Sequence, residues 1–287
     1  MSLLAVLFHS SRPLSWINTA YPFAAAYVMT TGRIDLTLVL GTLFFLVPYN
    51  IAMYGINDVF DYESDIRNPR KGGVEGAVVK PQFHRPILWA SALTCLPFVV
   101  YLVAVGSTLS NAVLAVSLFA VIAYSAKGLR FKEIPFLDSI TSSTHFVSPA
   151  LFGIVLATGT VDTAQWLILG AFFLWGLASH AFGAVQDIVA DREGGLSSIA
   201  TVIGGAWTVR FAVACYALAG FLLVQAPGLA PWVSPVALLY IAAIAQWWNV
   251  SDDNCEEANR GWKRFLALNF IAGFVVTMAL TVYVLFR

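Results

Sequence analysis

Nine long apolar stretches divide the 287-residue chain, at roughly 15–31, 36–57, 88–105, 110–126, 140–158, 164–186, 202–225, 232–249 and 265–286. A bilayer-spanning helix needs roughly 20 predominantly apolar residues, so the pattern predicts nine transmembrane helices. The alternating short segments of an outer-membrane barrel are absent. With most of the chain in spans, no soluble domain fits beside them, and residues 1–287 read as one transmembrane domain. The first apolar stretch is broken by Ser10, Ser11, Arg12 and Pro13 and lacks a cleavage-site pattern, so it does not read as a signal peptide.

Composition sharpens this picture. Apolar residues make up 59% of the chain and charged ones only 11%, against about 25% charged in an ordinary soluble domain. Acidic and basic residues balance, which gives no basic footprint for nucleic acid. Cys95 and Cys215 fall in apolar spans and Cys255 in a polar loop, so no disulfide framework or structural zinc site is indicated. The basic residues gather in alternate loops: Arg67, Arg70, Lys71, Lys80 and Arg85 after span two, Lys127, Arg130 and Lys132 after span four, Arg192 after span six, and Arg260, Lys263 and Arg264 before span nine. By the positive-inside rule these loops and the N-terminus face the cytoplasm, and the C-terminus lies opposite. The expected location is a bacterial-type cytoplasmic membrane, with the protein integral and multi-pass.

Two polar clusters interrupt the apolar pattern. Asn57-Asp58-Val59-Phe60-Asp61-Tyr62-Glu63-Ser64-Asp65 ends span two; if the helix continues, Asp58, Asp61 and Asp65 share one face, with Asn50 deeper on it. Gln186-Asp187-Ile188-Val189-Ala190-Asp191 ends span six, and Asp187 and Asp191 again share a face, with His180 and Gly183 upstream. The segments look like copies: Tyr54-Gly55 precedes the first and Phe182-Gly183 the second, and each runs into a basic, glycine-bearing loop. Paired sites in a weak internal repeat are what this suggests. A solvated helix end would explain one such cluster; two matched clusters on one membrane face point to chemistry. Facing carboxylates repel unless a cation lies between them. An all-oxygen donor set favours magnesium held with substrate phosphates, and nearby Arg and Lys can hold phosphate oxygens. Such a site ionises or transfers a diphosphate, and the apolar, aromatic helices around it predict a lipid chain as the rest of the substrate.

NDxxDxxxD from Asn57 and DxxxD from Asp187 resemble the two aspartate motifs of the UbiA superfamily of intramembrane prenyltransferases. The Ser11-Arg12-Pro13 and Trp16 start, the Tyr124-Ser125 to Lys132 loop and residues 199–204 fit the same family, over essentially the whole chain. Residues 49–77, 129–139, 142–153 and 183–204 look like its lycopene elongase branch, which makes C50 carotenoids; Ala126-Lys127-Gly128 departs from the family's proline-bearing turn. The resemblance implies an all-α bundle of nine transmembrane helices around a central, lipid-open cavity. It implies dimethylallyl diphosphate as donor, lycopene as acceptor and downstream carotenoid cyclase subunits as candidate partners. Asp58, Asp61, Asp65, Asp187 and Asp191 would then bind Mg2+, with Asn57, Arg67, Lys71, Arg130 and Lys132 on the diphosphate.

In that reading Tyr54, Tyr124 and Phe182 face an allylic cation, and His145 and His180 are candidates to accept the final proton, unless each is simply hydrogen-bonded within the bundle. Asn50, Tyr54, His180, Phe182 and Gly183 would line the substrate cavity, although close helix packing also explains small residues such as Gly176 and Gly183. Trp16, Trp247 and Trp248 read as interface aromatics, and Asp252, Asp253, Glu256 and Glu257 as a solvated loop. Two alternatives stay open: the same chemistry on a quinone, chlorophyllide or glycerol-lipid acceptor, and a cation-coupled secondary transporter.

Overall fold

In lipid, a single segment can satisfy its own backbone amides only as a helix, and the long apolar runs fold accordingly. The computed structural model describes residues 2–66 and 78–286, without the side chains of Ser64 and Asp65, and has no strand among the described residues. The chain divides into two compact units, Met1–Phe131 with His145–Thr160, and Lys132–Thr144 with Val161–Arg287.

The first unit comprises α1 (Leu3–Ser10), α2 (Ile17–Thr31), α3 (Leu36–Leu46), α4 (Pro48–Phe60), α5 (Tyr62–Asp65), α6 (His84–Val105), α7 (Thr108–Ser125) and the later part of α8 (Leu137–Thr158). Its core is aromatic: Phe23, Phe44, Phe45, Tyr49 and Phe152 are fully buried, and Phe45 lies 5.2 Å from Phe23 and 5.1 Å from Tyr49, ring centre to ring centre. Gly153 lets α8 approach α2, because a Cβ there would sit 2.8 Å from the Phe23 carbonyl oxygen.

The second unit holds the start of α8, then α9 (Thr163–Val185), α10 (Ile188–Glu193), α11 (Ile199–Ile203), α12 (Gly205–Gln225), α13 (Ala230–Val233), α14 (Val236–Ile244) and α15 (Asn259–Leu285). The helices α9 and α12 pack along their length, and Tyr216 stacks on Tyr240 at 5.2 Å within this core. On α15, by contrast, Phe270 and Phe274 lie exposed. Apolar faces of this kind are what a lipid-facing helix presents.

Among the described residues eight helical stretches are long and apolar enough to cross a membrane, and the protein is an integral membrane protein. They correspond to expected spans two to nine. The first expected span is the exception: α2 has 15 residues, about 22 Å at 1.5 Å per residue. It is short because the chain turns at Arg12 and runs through a 3-10 turn at Pro13–Ser15 before the helix begins. Span two is two helices broken at Val47, and span eight is assembled from α13, α14 and a 3-10 turn at Ala245–Trp247. Asp35, Ser107, Asp162 and Ser198 start helices by accepting the backbone N–H three residues on.

Candidate active site

In the first unit the site is built on α4, whose start is set by a proline. Pro48 has no N–H to donate, and the buried Asn50 amide takes over, donating from Nδ2 to the carbonyls of Phe45 (2.8 Å) and Leu46 (3.1 Å) and to Thr19 Oγ1 (2.8 Å). Its Oδ1 finds no donor among the described residues. The expected substrate-facing Asn50 thus spends its amide nitrogen on the helix break.

At the other end of α4 the acidic motif does not continue as one helix. Phe60 ends α4 and Asp61 caps it, its N–H on the Asn57 carbonyl at 2.9 Å, before α5 begins. The shared helical face expected for Asp58, Asp61 and Asp65 is therefore interrupted at Asp61, and the Asp65 side chain, like Arg67 and Lys71, lies outside the described residues. Asp58 is fully buried. Ser10 Oγ donates to its Oδ2 at 2.7 Å and Arg12 Nη2 to its Oδ1 at 3.0 Å. The Arg12 guanidinium also lies over the Tyr54 ring, 4.3 Å from its centre. Asn57 Oδ1 accepts from Ser125 Oγ at 2.7 Å. Asp61, 4% exposed, has Arg130 Nη2 3.9 Å from its Oδ1, and Arg130 donates to the Phe60 carbonyl at 3.4 Å. Tyr124 and His145 meet edge to face at 5.3 Å, with His145 buried.

The second unit carries the other motif where α9 ends. Val185 is its last residue, and Asp187 starts α10, so the stripe from His180 through Gly183 to Asp187 is broken at Gln186. The i, i+4 relation of the two aspartates survives: the Asp191 N–H donates to the Asp187 carbonyl at 2.8 Å. Gln186 is held by Asn259, and its carbonyl accepts from Cys255 Sγ at 3.8 Å. His180 Nδ1 lies 3.1 Å from Ser139 Oγ. Phe182 is buried in the core against Trp247, and a Cβ on Gly183 would lie 3.1 Å from the Trp262 ring. Both are packed positions. Lys132 lies half-buried on a 3-10 turn at Phe131–Glu133.

Three further expectations change in the second unit. Trp247, read as an interface aromatic, is buried, because Gly261 leaves room for its ring beside Phe182. Asp252, read as part of a solvated loop, accepts the Gly205 N–H at 2.7 Å and pairs with Arg192 at 2.8 Å, fixing the start of α12. Cys255 lies fully buried in the 3-10 turn Asp252–Ala258. Asp138 was not singled out from sequence. It is buried, with Oδ1 on the Ser139 N–H (2.6 Å) and Oδ2 on the Ile199 N–H (2.8 Å), and so anchors α11 beside the His180 partner. Ser10 and Ser125, named in the sequence without a role, and Ser139 also hold motif or histidine side chains by their hydroxyls; nothing local to a serine shows which partner it takes.

Among the described residues no three His, Cys, Asp or Glu side chains gather as a metal cage. The donors fit magnesium nonetheless: Asn57, Asp58, Asp61, Asp187 and Asp191 offer only hard oxygen, and Mg2+ typically takes one or two carboxylates and completes its shell with substrate phosphate and water. Asp58 and Asp61 are buried carboxylates that already draw arginines.

The UbiA prenyltransferase family profile matches residues 19–283. The chain belongs to that family. Among curated relatives it is 55% identical over 281 residues to a lycopene elongase/hydratase of Corynebacterium glutamicum, covering 98% of each chain. It is 59% identical over 279 residues to a C(50) beta-cyclic carotenoids biosynthesis protein of Dietzia sp., covering 96% of this chain and 64% of that one. A UbiA homologue from Archaeoglobus fulgidus, solved with GPP and Mg2+, superposes with a TM-score of 0.71 at 19% identity, covering 93% of this chain and 98% of that one. Solved with DMAPP and Mg2+, it gives a TM-score of 0.68 at 20% identity over the same shares. This likeness carries the fold. As a UbiA-type prenyltransferase the chain falls outside the transporter class that intramembrane acids also allowed.

Proposed function

We propose that this chain transfers the dimethylallyl group of dimethylallyl diphosphate to a terminal double bond of lycopene, giving C45 and C50 carotenoids. The observation that carries this reading is the 55% identity to the C. glutamicum lycopene elongase/hydratase across 98% of both chains. Because a homologue of the same fold has been solved with DMAPP and Mg2+, these are the donor and ion to try first.

Asn57, Asp58 and Asp61 in one unit and Asp187 and Asp191 in the other are assigned to magnesium and diphosphate, as is Asp65. Arg67, Lys71, Arg130 and Lys132 bind diphosphate oxygens. Magnesium, when bound, offsets the charge that accumulates on the departing diphosphate. The allylic C–O bond breaks with its electron pair on oxygen, and the lycopene π pair forms the new C–C bond, leaving a tertiary cation on the acceptor. Tyr54 and Tyr124 offer aromatic faces to the allylic cation, an attraction of up to about 2 kcal/mol where water is excluded. The acceptor cation then loses an adjacent proton or captures water, which loses one; His145 and His180 are assigned as proton acceptors. The distribution of basic loops supports a cytoplasmic N-terminus and cytoplasmic acidic motifs.

Expression in a lycopene-accumulating cell, with pigment mass analysis beside an Asp61→Asn control, tests the proposal. New pigments heavier by one or two five-carbon units and absent from the control are expected, and an added water mass would mark hydration. Unchanged lycopene beside well-folded protein, with donor and magnesium supplied, would overturn the acceptor and direct the search to quinone, chlorophyllide or glycerol-lipid acceptors.

A further inference from the structure

Arg12 touches two groups that prenyl transfer would use. Its Nη2 donates to Asp58 Oδ1 at 3.0 Å, and its guanidinium lies 4.3 Å from the Tyr54 ring centre. We propose that Arg12 is an exchangeable counter-ion, which holds Asp58 and covers Tyr54 while metal and diphosphate are absent and releases both when they bind. The proposal rests on the assignment of Asp58 to magnesium and diphosphate.

Burial makes such a placeholder necessary. Asp58 is fully buried, and a carboxylate in that position without a cation is costly. Ser10 serves one oxygen and Arg12 the other. An incoming divalent ion needs a lone pair on the same carboxylate, and a guanidinium beside it would repel that ion. Ser10 is neutral and can remain; Arg12 is the group that must leave.

Arg12 is also built to leave. Asp58 is fixed in α4, whereas Arg12 sits in the turn between α1 and α2 with its side chain 21% exposed. Its backbone is left-handed, at φ 50°, a conformation that disfavours a residue with a Cβ. Its buried Nε finds no acceptor among the described residues. Arg12 thus combines a strained backbone with an incompletely satisfied side chain, a pattern found where strain serves function. Departure would uncover the Tyr54 face, so that one cation is exchanged for another on the same ring.

Binding and stability separate this role from plain bracing. Mn2+ binding is read by electron paramagnetic resonance, alone and with inorganic pyrophosphate, for the full-length protein and its Arg12→Gln variant. Melting is followed in EDTA and in Mn2+ with pyrophosphate. The variant should bind Mn2+ alone roughly tenfold tighter or more, since a charge-assisted hydrogen bond no longer has to break. It should melt below the parent in EDTA and level with it once loaded. An equal melting deficit in both states would overturn the proposal and make Arg12 a structural brace. Unchanged Mn2+ binding with weaker pyrophosphate binding would also overturn it, in favour of a simple anion ligand. Should Arg12→Gln not survive extraction, Arg12→Lys carries the comparison: its compact ammonium cannot lie flat on Tyr54, and an intermediate shift is expected. None of these readouts needs an acceptor, so they stand apart from the pigment assay.

Discussion

A single amide organises the entry to the first acidic helix. Phe45 and Leu46 lose helical partners because Val47 and Pro48 break the chain there, and Asn50 Nδ2 reaches both carbonyls as well as the Thr19 hydroxyl. Replacing Asn50 by Leu keeps the branched outline at a larger volume and removes the donor. Each buried acceptor left without a donor costs about 1–3 kcal/mol, and Thr19 Oγ1 can still serve Phe45 but not Leu46. Asn50→Leu should therefore lower stability in detergent by about 2 kcal/mol, measured by thermal melting against the parent protein. A variant that melts with the parent would show that the α3–α4 break does not depend on this amide. The substitution also probes the exposed alternative: loss of turnover without loss of stability would return Asn50 to the substrate.

Helix starts are the corresponding feature at the level of elements. Asp35 opens α3 by accepting the Leu38 N–H at 2.9 Å, and Tyr27 at the end of α2 donates its hydroxyl to the other carboxylate oxygen at 3.0 Å. The Leu38 N–H holds the Asp35 carboxyl below the usual carboxylate range, with the Tyr27 hydroxyl adding to the effect. A carboxylate with a depressed pKa in the folded state stabilises at pH values above its unfolded pKa and ceases to do so as pH falls through the folded one. Asp35→Ala should cost about 1 kcal/mol at neutral pH, as lost N-caps do, and the gap in melting temperature should close as pH is taken below the carboxylate range. A gap that persists in acid would assign the cost to packing. Span positions were legible in the sequence because apolar length alone decides them. The breaks at Val47 and within span eight were not, because Pro48 and Pro235 are embedded in apolar sequence and the groups that repair such breaks lie elsewhere in the chain.

Across the whole molecule, each compact unit carries one acidic motif. Both motifs were legible because their spacing is local. Their surroundings were not: Arg12 reaches Asp58 across 46 residues, Asp138 reaches Ile199 across 61, and Ser125 reaches Asn57 across 68. No periodicity encodes such pairs: the family-like motifs mark Arg12 and Ser125 without naming what they bind, and Ile199 contributes only its backbone N–H. The proposed assignment of both motifs to magnesium and diphosphate has a consequence that single substitutions cannot test. Asp58→Asn keeps one oxygen acceptor for Arg12 and turns its NH2 to the Ser10 hydroxyl, which can accept, at the loss of the ion pair; Asp187→Asn removes charge alone, and both variants should still insert. Each should lower turnover steeply while leaving a residual rate above that of an empty membrane. Groups that act as a unit in one step are non-additive, so the double variant should be no slower than the slower single one. Initial rates per molecule of inserted protein, from pigment mass analysis at saturating donor, give the three ratios. If the two losses multiply, the motifs serve separate steps, and magnesium and diphosphate would have to be assigned to one of them alone.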